Sequence, residues 1–246
     1  MGESATIIPQ RLPAERISPR HDDLHSSVRR YFVDEFFERR VSVLTKGARV
    51  IDVGGIKNKK RGQFDIRHFE LDVVCVNSCK AAEPDILGDA ASIPLPSGEA
   101  DAVILSEVVE HLPDPLPALR EAARLLRRGG TLLATAPFLF RVHPDPIDVA
   151  RYAPDWWRAN LPTLGFERFE LEPQGMLFSV LAEFLRGWMK HLADTNSFWP
   201  GMDKTALSWL RLAREQALTW ESRPAVQTNA YYQSFTTGYG IWAVKS

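Results

Sequence analysis

The sequence has few of the features that mark secreted, membrane-spanning or nucleic-acid-binding proteins. Among its 246 residues, Cys75 and Cys79 are the only cysteines, which favours a reduced cytoplasmic protein over a disulfide-bonded one. No segment approaches the ~20 consecutive apolar residues that a membrane span requires. Residues 1–20 contain Arg11 and Arg16 but no apolar stretch of the kind found in secretory signals. We therefore predict a cytoplasmic protein with no transmembrane segment.

An excess of charge of one sign is also missing. Lys and Arg number 30 and Asp and Glu number 31, so the formal net charge is −1. Because nucleic-acid-binding proteins rely on basic surfaces, this balance gives no reason to expect a nucleic-acid partner. The sequence shows no cluster of residues with metal-ligand spacing, so we predict no metal site.

The most informative stretch of the sequence predicts a short strand followed by two glycines. Residues 48–55 read Ala-Arg-Val-Ile-Asp-Val-Gly-Gly, an apolar run with Asp52 near its end, followed by Gly54 and Gly55. Apolar runs bounded by turn residues are typical of buried parallel strands, and glycine permits positive φ and close approach of a ligand. The dinucleotide-binding fingerprint G-x-G-x-x-G, which has no acid ahead of it, does not match this stretch.

Apolar runs and helical patterns alternate along the rest of the chain. We predict strands at 71–76, 84–90, 102–105, 131–136 and 166–171, and helices at 22–43, 115–126 and 154–164. Asp22 or Asp23 could cap the first helix. Residues 127–130, Arg-Arg-Gly-Gly, are predicted to end the second helix with two cations and a left-handed glycine. This alternation predicts a parallel, doubly wound sheet.

Ligands of such sheets bind beyond the carboxyl ends of the strands, and four polar residues fall there, namely Asp52, Asn77, Asp89 and Glu107. Two residues compete for the place at which α/β nucleotide folds bind ribose, about 20 residues past the first loop. Asp72 follows Asp52 by 20 residues but lies inside an apolar run, whereas Asn77 lies 25 residues on, at the strand tip. We favour Asn77 and leave Asp72 open.

Four segments carry a resemblance to a known family. They are Val50 to Gly55, Asp85 to Ala90 with Ile93-Pro94, Ser106 to His111, and Leu125 to Gly130. In this order and spacing, residues 48 to about 173 resemble the class I S-adenosylmethionine-dependent methyltransferases of the methyltransferase type 11 family. The resemblance implies a Rossmann-like, doubly wound seven-stranded α/β sheet with an antiparallel last strand, for which residues 240–244 are the candidate.

The resemblance also implies how the cofactor, S-adenosyl-L-methionine, is held. The implied cofactor-binding residues are Asp52, Gly54 and Gly55 for the amino-acid end, Asn77 for the ribose, Asp89 and Ala90 for the adenine, and Ser106 near the methionine part. Two departures from the family pattern imply altered affinity or lost catalysis: Ile56-Lys57 replaces a frequent glycine, and Asn77 replaces the usual acid.

The loop after the fifth strand is predicted to form the wall of the acceptor site. Many bacterial members of the family have a similar His…Pro-x-Asp…Arg-Tyr segment, which implies substrate-binding roles for Arg151 and Tyr152. Loops rich in proline and ionisable residues at a strand's carboxyl end often bind substrates. The alternative is that Asp148 and Arg151 only fix the loop as an ion pair.

Transfer to a hydroxyl group gains from a base that takes up its proton. We expect His143 to be this base, because imidazole titrates near neutral pH and His143 follows the fifth strand. Asp148 would orient His143. His111, after the fourth strand, is the competing base, and His143 packing among prolines is the structural alternative.

Two apolar stripes at helical spacing, over 176–192 and 206–220, predict an inserted helical cap. It would pack on the domain, on a second copy in a homodimer, or on a membrane surface. We therefore divide the chain into an N-terminal arm and helix (1–45), a cofactor-binding core (46–173), the insertion (174–230) and the last core strand (231–246).

The sequence thus favours an S-adenosylmethionine-dependent methyltransferase that acts on a small-molecule acceptor. A hydroxyl of a sugar, glycoside or natural-product intermediate is the expected target. The alternatives are a catalytically silent partner subunit with this fold and an NAD(P)-dependent oxidoreductase.

Overall fold

The computed structural model describes residues 26–59, 62–195 and 204–246. Seven strands form one sheet: β1 Arg49–Val53, β2 Asp72–Asn77, β3 Ile86–Leu87, β4 Ala100–Ser106, β5 Leu126–Pro137, β6 Arg168–Pro173 and β7 Gly238–Val244. Around them lie the helices α1 Val28–Val41, α2 Leu116–Leu125, α3 Pro154–Asn160, α4 Leu177–Thr195, α5 Lys204–Glu221, α6 Pro224–Gln227 and α7 Ala230–Gln233.

The sheet order is β3-β2-β1-β4-β5-β7-β6, and the first five strands run parallel. The last strand, β7, runs antiparallel between β5 and β6. The predicted fold class, a Rossmann-like seven-stranded sheet with an antiparallel last strand, is therefore confirmed. The chain reverses its direction across the sheet between β1 and β4, and the carboxyl ends of these strands border the crevice where α/β sheets bind ligands.

The central strands are mostly apolar because both faces of the sheet are covered. On one face, Phe36 and Phe37 of α1 pack against Val50 and Ile104. On the other face, helices α2 and α3 cover the alternate residues of the same strands, with Trp157 of α3 fully buried. The helix α1 therefore belongs to the sheet core and lies beside the carboxyl edge.

The N-terminal helix begins later than predicted. It starts at Val28, and the side chain of Ser27 caps it by accepting a hydrogen bond from the Arg30 amide. The proposed caps Asp22 and Asp23 lie outside the described residues.

The prediction for the end of α2 was wrong. The helix ends at Leu125, and Leu126 is already extended and pairs with Ala100 of β4. The Arg-Arg-Gly-Gly stretch therefore lies in the first part of β5, where Gly129 has a φ of 75°. Its glycines serve the irregular register of this strand pair, not a helix cap.

The buried face of α4 differs from the predicted apolar stripe. Glu183 and Arg186 are buried, whereas Leu181 and Phe184 are 42% and 51% exposed. The reason is the start of α1, whose Val28 amide donates to Glu183 Oε2 at 2.7 Å, while Arg186 pairs with the same carboxylate. Free amides at a helix start need an acceptor, and here a buried ion pair supplies it.

The helices α4 and α5 are joined by Glu221, which is 1% exposed. Its carboxylate accepts from the amides of Met176 and Ser179, at 2.9 and 2.6 Å, and from the Ser179 hydroxyl. The last residue of α5 thus satisfies donors at the start of α4. Within the described part of the chain, no helix combines the length and the apolar character that a membrane crossing requires.

We expect Glu221→Ala to lower the free energy of unfolding by about 1–3 kcal/mol, because two buried amides lose their acceptor. Urea denaturation measures this change. Gln216→Ala is the matched control, an exposed position on the same helix, where a change within about 0.5 kcal/mol is expected. Equal stability of the two variants would contradict this role of Glu221.

Burial raises the pKa of Glu221 although hydrogen bonds from Ser179 and Met176 oppose the shift. The folded protein therefore binds this proton more tightly than the unfolded chain, whose glutamate pKa is about 4.3. The stabilisation that comes from protonated Glu221 is complete below the unfolded-chain pKa, and it is lost as the pH rises through the folded-state pKa. We expect the free energy of unfolding, relative to that of Glu221→Gln, to fall with rising pH in denaturation at a series of pH values. A constant difference would show that the pKa is not raised.

Candidate active site

The loop after β1 brings Asp52 against two glycines. Gly54 has a φ of 82°, and a Cβ there would lie 2.5 Å from Val108 Cγ2. A Cβ at Gly55 would lie 2.0 Å from Asp52 Oδ2. Both positions therefore require glycine, the first for its conformation and the second for the close approach of the carboxylate.

The structure separates the two candidates for the strand tip. Asn77 ends β2 next to the glycine loop, and its side chain donates to the Gly55 carbonyl and accepts from the Cys79 amide, both at 2.8 Å. Asp72 begins β2, at the opposite edge of the sheet, where it is exposed and pairs with Arg49 at 2.5 Å. Asn77, and not Asp72, shares the edge with Asp52.

The third polar position follows β3. Asp89 is exposed and accepts from the Ala91 amide at 2.8 Å, and Ala90 beside it is partly buried. Nearby, Lys57 of the glycine loop forms an ion pair with Asp85, which also accepts from the Cys75 amide. The basic loop residue that departs from the family pattern is thus bound to the β3 region.

A first cavity lies over the carboxyl ends of β1 and β4. Asp52, Gly54, Gly55 and Ser106 line it, and Arg30 and Asp34 of α1 form the facing side. Four predicted cofactor-binding residues therefore meet at one cavity.

Beyond Ser106, the chain turns sharply at Glu107, whose φ is 56°. Its carboxylate is nearly buried and receives two hydrogen bonds from Arg29 of α1, one of them 2.7 Å long. Burial opposes ionisation, but the charge of Arg29 outweighs it and lowers the pKa of Glu107. This residue is therefore a buried anion paired with a buried cation.

Three side chains meet beside this pair. His111 Nε2 lies 3.7 Å from Glu110 Oε1, and His143 Nε2 lies 3.9 Å from the same oxygen. The two imidazole rings are 5.5 Å apart between centroids and nearly perpendicular. The two histidines that compete as the predicted base are thus neighbours around one carboxylate.

The surroundings of this group shift the pKa values of two of its members. Burial, together with the charge of Glu107, raises the pKa of Glu110 to about 8. Burial also lowers the pKa of His143, although Asp148 partly opposes this. A neutral His143 at neutral pH has a free nitrogen lone pair, as a base or a metal ligand requires.

Asp148 holds both Arg151 and His143. It forms a two-pronged ion pair with Arg151, and it accepts from the His143 amide at 2.8 Å with the ring Nδ1 at 3.1 Å. The Arg151 guanidinium lowers the pKa of Asp148 well below its usual range. The ion pair that was the structural alternative is therefore present, and it also positions His143.

Tyr152 differs from its neighbours in the loop. It is 8% exposed and its ring packs against Trp156 and Trp157, with centroids 4.4 and 6.0 Å away. Burial raises the pKa of its hydroxyl. Its substrate-binding role stays a prediction, and its burial in the core does not support it.

A second cavity, of about 570 Å³, lies between the loop after β5 and the helix α4. His111, His143 and Glu107 line one side, and Arg186, Lys190 and His191 of α4 line the other. Arg30 lines both cavities, so the two adjoin. The helix α4 thus lies across this cavity from the two histidines.

Sequence reasoning missed the buried members of this site. Glu110 belongs to the segment from Ser106 to His111, but the sequence assigns it no role, and it assigns none to Arg29 in the first helix. The signal that could have found Glu110 is its position beside His111 in a segment that follows a strand end. Arg29 shows no comparable signal, because only the folded chain brings it to Glu107.

Comparison with known proteins gives a consistent family. Residues 60–134 match the family model described as a methyltransferase domain. The ubiquinone/menaquinone biosynthesis C-methyltransferase UbiE of Caulobacter vibrioides is 35% identical over 73 residues, 28% of this chain and 29% of that protein. The ubiquinone biosynthesis O-methyltransferase of Xanthomonas campestris is 34% identical over 106 residues, 37% of this chain and 43% of that protein. The match thus spans less than half of these relatives' length.

Solved structures share the fold at low identity. A SAM-dependent methyltransferase from Archaeoglobus fulgidus has a TM-score of 0.54 and 16% identity, over 92% of this chain and 97% of that one. The [4+2]-cyclase SpnF has a TM-score of 0.54 and 19% identity, over 91% and 85%. The second protein shows that this fold alone does not fix the reaction.

The sequence match covers β2 to β5, and the strand order adds the antiparallel β7 that the resemblance implied. The chain is therefore similar in sequence to methyltransferase domains over residues 60–134, and it shares the fold of the S-adenosylmethionine-dependent methyltransferases that it resembles.

Proposed function

We propose that this protein transfers a methyl group from S-adenosyl-L-methionine to a hydroxyl of a polar small molecule. A sugar, a glycoside or a natural-product intermediate is the acceptor class that we put forward. The observation that supports it best is the position of His143. Its imidazole lines the cavity that adjoins the glycine loop, and Asp148 and Arg151 fix its orientation.

The donors and acceptors at the sheet edge suit the cofactor. Asp52 would accept a hydrogen bond from the amino group of the cofactor, and the neighbouring glycines leave room for that group. Asn77 keeps one amide hydrogen and one lone pair, beyond its bonds to Gly55 and Cys79, for the ribose hydroxyls. Ser106 lines the first cavity, and the next residue, Glu107, lines the second.

Adenine is assigned to the turn after β3. Asp89 and Ala90 follow β3, whose Leu87 pairs with Asn77, and Asp89 keeps a second oxygen beyond the one that accepts from the Ala91 amide. When bound, the cofactor supplies an electrophilic methyl group on a sulfonium, and its departure leaves a neutral thioether. The protein therefore contributes position and proton removal, not acid assistance to the leaving group.

On the acceptor side, His143 would take the hydroxyl proton as the new oxygen–carbon bond forms. Asp148 and the Arg141 carbonyl, which both face Nδ1, leave Nε2 directed into the site. His111 lies close enough to act instead. Arg141, Arg186 and Lys190 line this cavity together with Glu107, Asp145 and Asp194, and side chains of both charges suit an acceptor that bears hydroxyl groups.

The names of the relatives favour a second acceptor class, ring hydroxyls of the quinol type. Against this class, Phe140 is the one phenylalanine, tyrosine or tryptophan among the described residues that line the second cavity.

The silent-subunit alternative still rests on Ile56, Lys57 and Asn77. The strand order counts against the oxidoreductase alternative, because the sheet does not have the 3-2-1-4-5-6 order of dinucleotide-binding folds. A homodimer through the exposed apolar residues of α4 also stays a prediction.

Removal of the Asp52 carboxylate should weaken cofactor binding. A charged hydrogen bond contributes about 1.5–3 kcal/mol, so Asp52→Ala should raise the dissociation constant at least about tenfold. Calorimetry with S-adenosylmethionine and S-adenosylhomocysteine measures this. Asp72→Ala is the matched control at the opposite edge and should bind normally. Loss of affinity in Asp72→Ala alone, or tight binding of NAD, would contradict the assigned site.

Removal of the His143 imidazole should slow turnover without loss of cofactor affinity. General base catalysis contributes ~10²–10⁴-fold, so His143→Ala should reduce the turnover rate at least about tenfold. A panel of sugar, glycoside and catechol acceptors with a thioether-product assay identifies the acceptor class. If His111→Ala is inactive and His143→Ala is not, His111 is the base. If the wild-type protein binds the cofactor but methylates none of these acceptors, the result favours the silent-subunit alternative.

A further inference from the structure

Glu110 is the least satisfied polar side chain in the acceptor site. It is fully buried, and neither of its carboxylate oxygens has a hydrogen-bond partner on another residue. Buried carboxylates normally have hydrogen bonds or bind a cation, because isolated burial of this group is costly. The geometry around Glu110 therefore needs a positively charged or proton-bearing occupant.

The two histidines are arranged as metal ligands usually are. His111 Nδ1 lies beside the Ile147 carbonyl, and His143 Nδ1 lies 3.1 Å from both the Arg141 carbonyl and Asp148. Each Nδ1 is thus held as a donor, which leaves the Nε2 lone pair toward Glu110. Metal-binding histidines characteristically have such partners on their second nitrogen.

In contrast to the sequence-based prediction of no metal site, we propose that Glu110, His111 and His143 bind one divalent transition-metal ion of the Zn²⁺ class. One ligand atom of each residue lies within 4.8 Å of the others. Around a tetrahedral ion with bonds of about 2.1 Å, ligand atoms stand about 3.4 Å apart. The observed 3.7 and 3.9 Å separations from Glu110 Oε1 require only small side-chain movements to meet this value.

The set of donors selects the kind of ion. Two imidazoles and one carboxylate are the ligands of catalytic zinc sites and of some iron(II) sites, which leave further positions open. Mg²⁺ and Ca²⁺ prefer oxygen ligands and fit this set less well. The buried anion of Glu110 would offset part of the charge of the ion.

The open positions of the ion would face the acceptor cavity, which His111 and His143 line. This role rests on the proposed function: an acceptor hydroxyl bound to the ion would lose its proton to cavity water. Its oxygen would then form the new bond to the methyl carbon as the carbon–sulfur bond breaks, and the electron pair would remain on sulfur. The ion keeps its oxidation state. In the metal-loaded protein it would activate the hydroxyl, the task that His143 performs as a base in the metal-free protein.

Metal binding can be measured without cofactor or acceptor, so its failure is distinct from failure of the proposed function. Untagged protein, freed of metal with a chelator, is titrated with Zn²⁺ by calorimetry and with Co²⁺ by visible absorption. All proteins carry Cys79→Ser, because the exposed Cys79 thiol could bind these ions itself. We expect one ion per chain and the absorption of a four- or five-coordinate Co²⁺ site.

The variants His143→Ala and Glu110→Gln should each lose at least about tenfold in affinity for the ion, since loss of an outer-sphere partner already costs about that much. His191→Ala is the matched control, an exposed histidine on the opposite wall of the same cavity. Zn²⁺ should raise the midpoint temperature of the parent and the control, but not that of the two ligand variants. Binding of S-adenosylhomocysteine shows that each variant is folded.

Two outcomes overturn the proposal. One is the absence of stoichiometric binding in the parent protein, in which case a proton on Glu110 is the occupant. The other is unchanged affinity in both ligand variants, or equal loss in His191→Ala, which would locate the ion elsewhere.

Discussion

The buried ion pair between Arg29 and Glu107 is the interaction on which the site depends. Arg29 is 2% exposed, and it also donates to the Gln174 side chain at 2.9 Å. One guanidinium therefore joins α1, the end of β4 and the segment that leads into α4. Buried pairs of this kind contribute little net stability, but removal of one partner leaves an uncompensated charge. The value of this pair is positional, because α1 and the end of β4 line both cavities.

The packing around this pair leaves no space for a larger residue at Gly238. A Cβ at Gly238, at the start of β7, would lie 1.8 Å from Arg29 Nη1. The antiparallel strand therefore approaches the guanidinium at a position that only glycine allows. The negative charge that Arg29 holds on Glu107 is in turn one cause of the raised pKa of Glu110. An ion pair that orders the fold thus also sets the electrostatics of the acceptor site.

The sequence predicted the sheet well because local patterns encode it. Apolar runs with glycine or acid at their ends located β1, β2, β4 and β5, and these patterns depend on near neighbours only. The end of α2 and the buried face of α4 could not be predicted in this way. Leu126 is extended because it pairs with Ala100, and Glu183 is buried because Val28 needs an acceptor. Both causes lie far away in the sequence.

The same distinction applies to the site. Asp52 and Asn77 lie at strand tips, so their shared edge follows from the parallel sheet alone. The meeting of His111 with His143 requires the loop after β5 to fold back, and Asp148 with Arg151 hold it there. Position in sequence made each histidine a candidate base, yet only the fold shows that they share Glu110. A buried carboxylate between two imidazoles is costly unless it binds a proton or a cation. Under the proposed function, activation of the acceptor therefore depends on the occupant of that position more than on the choice between the two histidines.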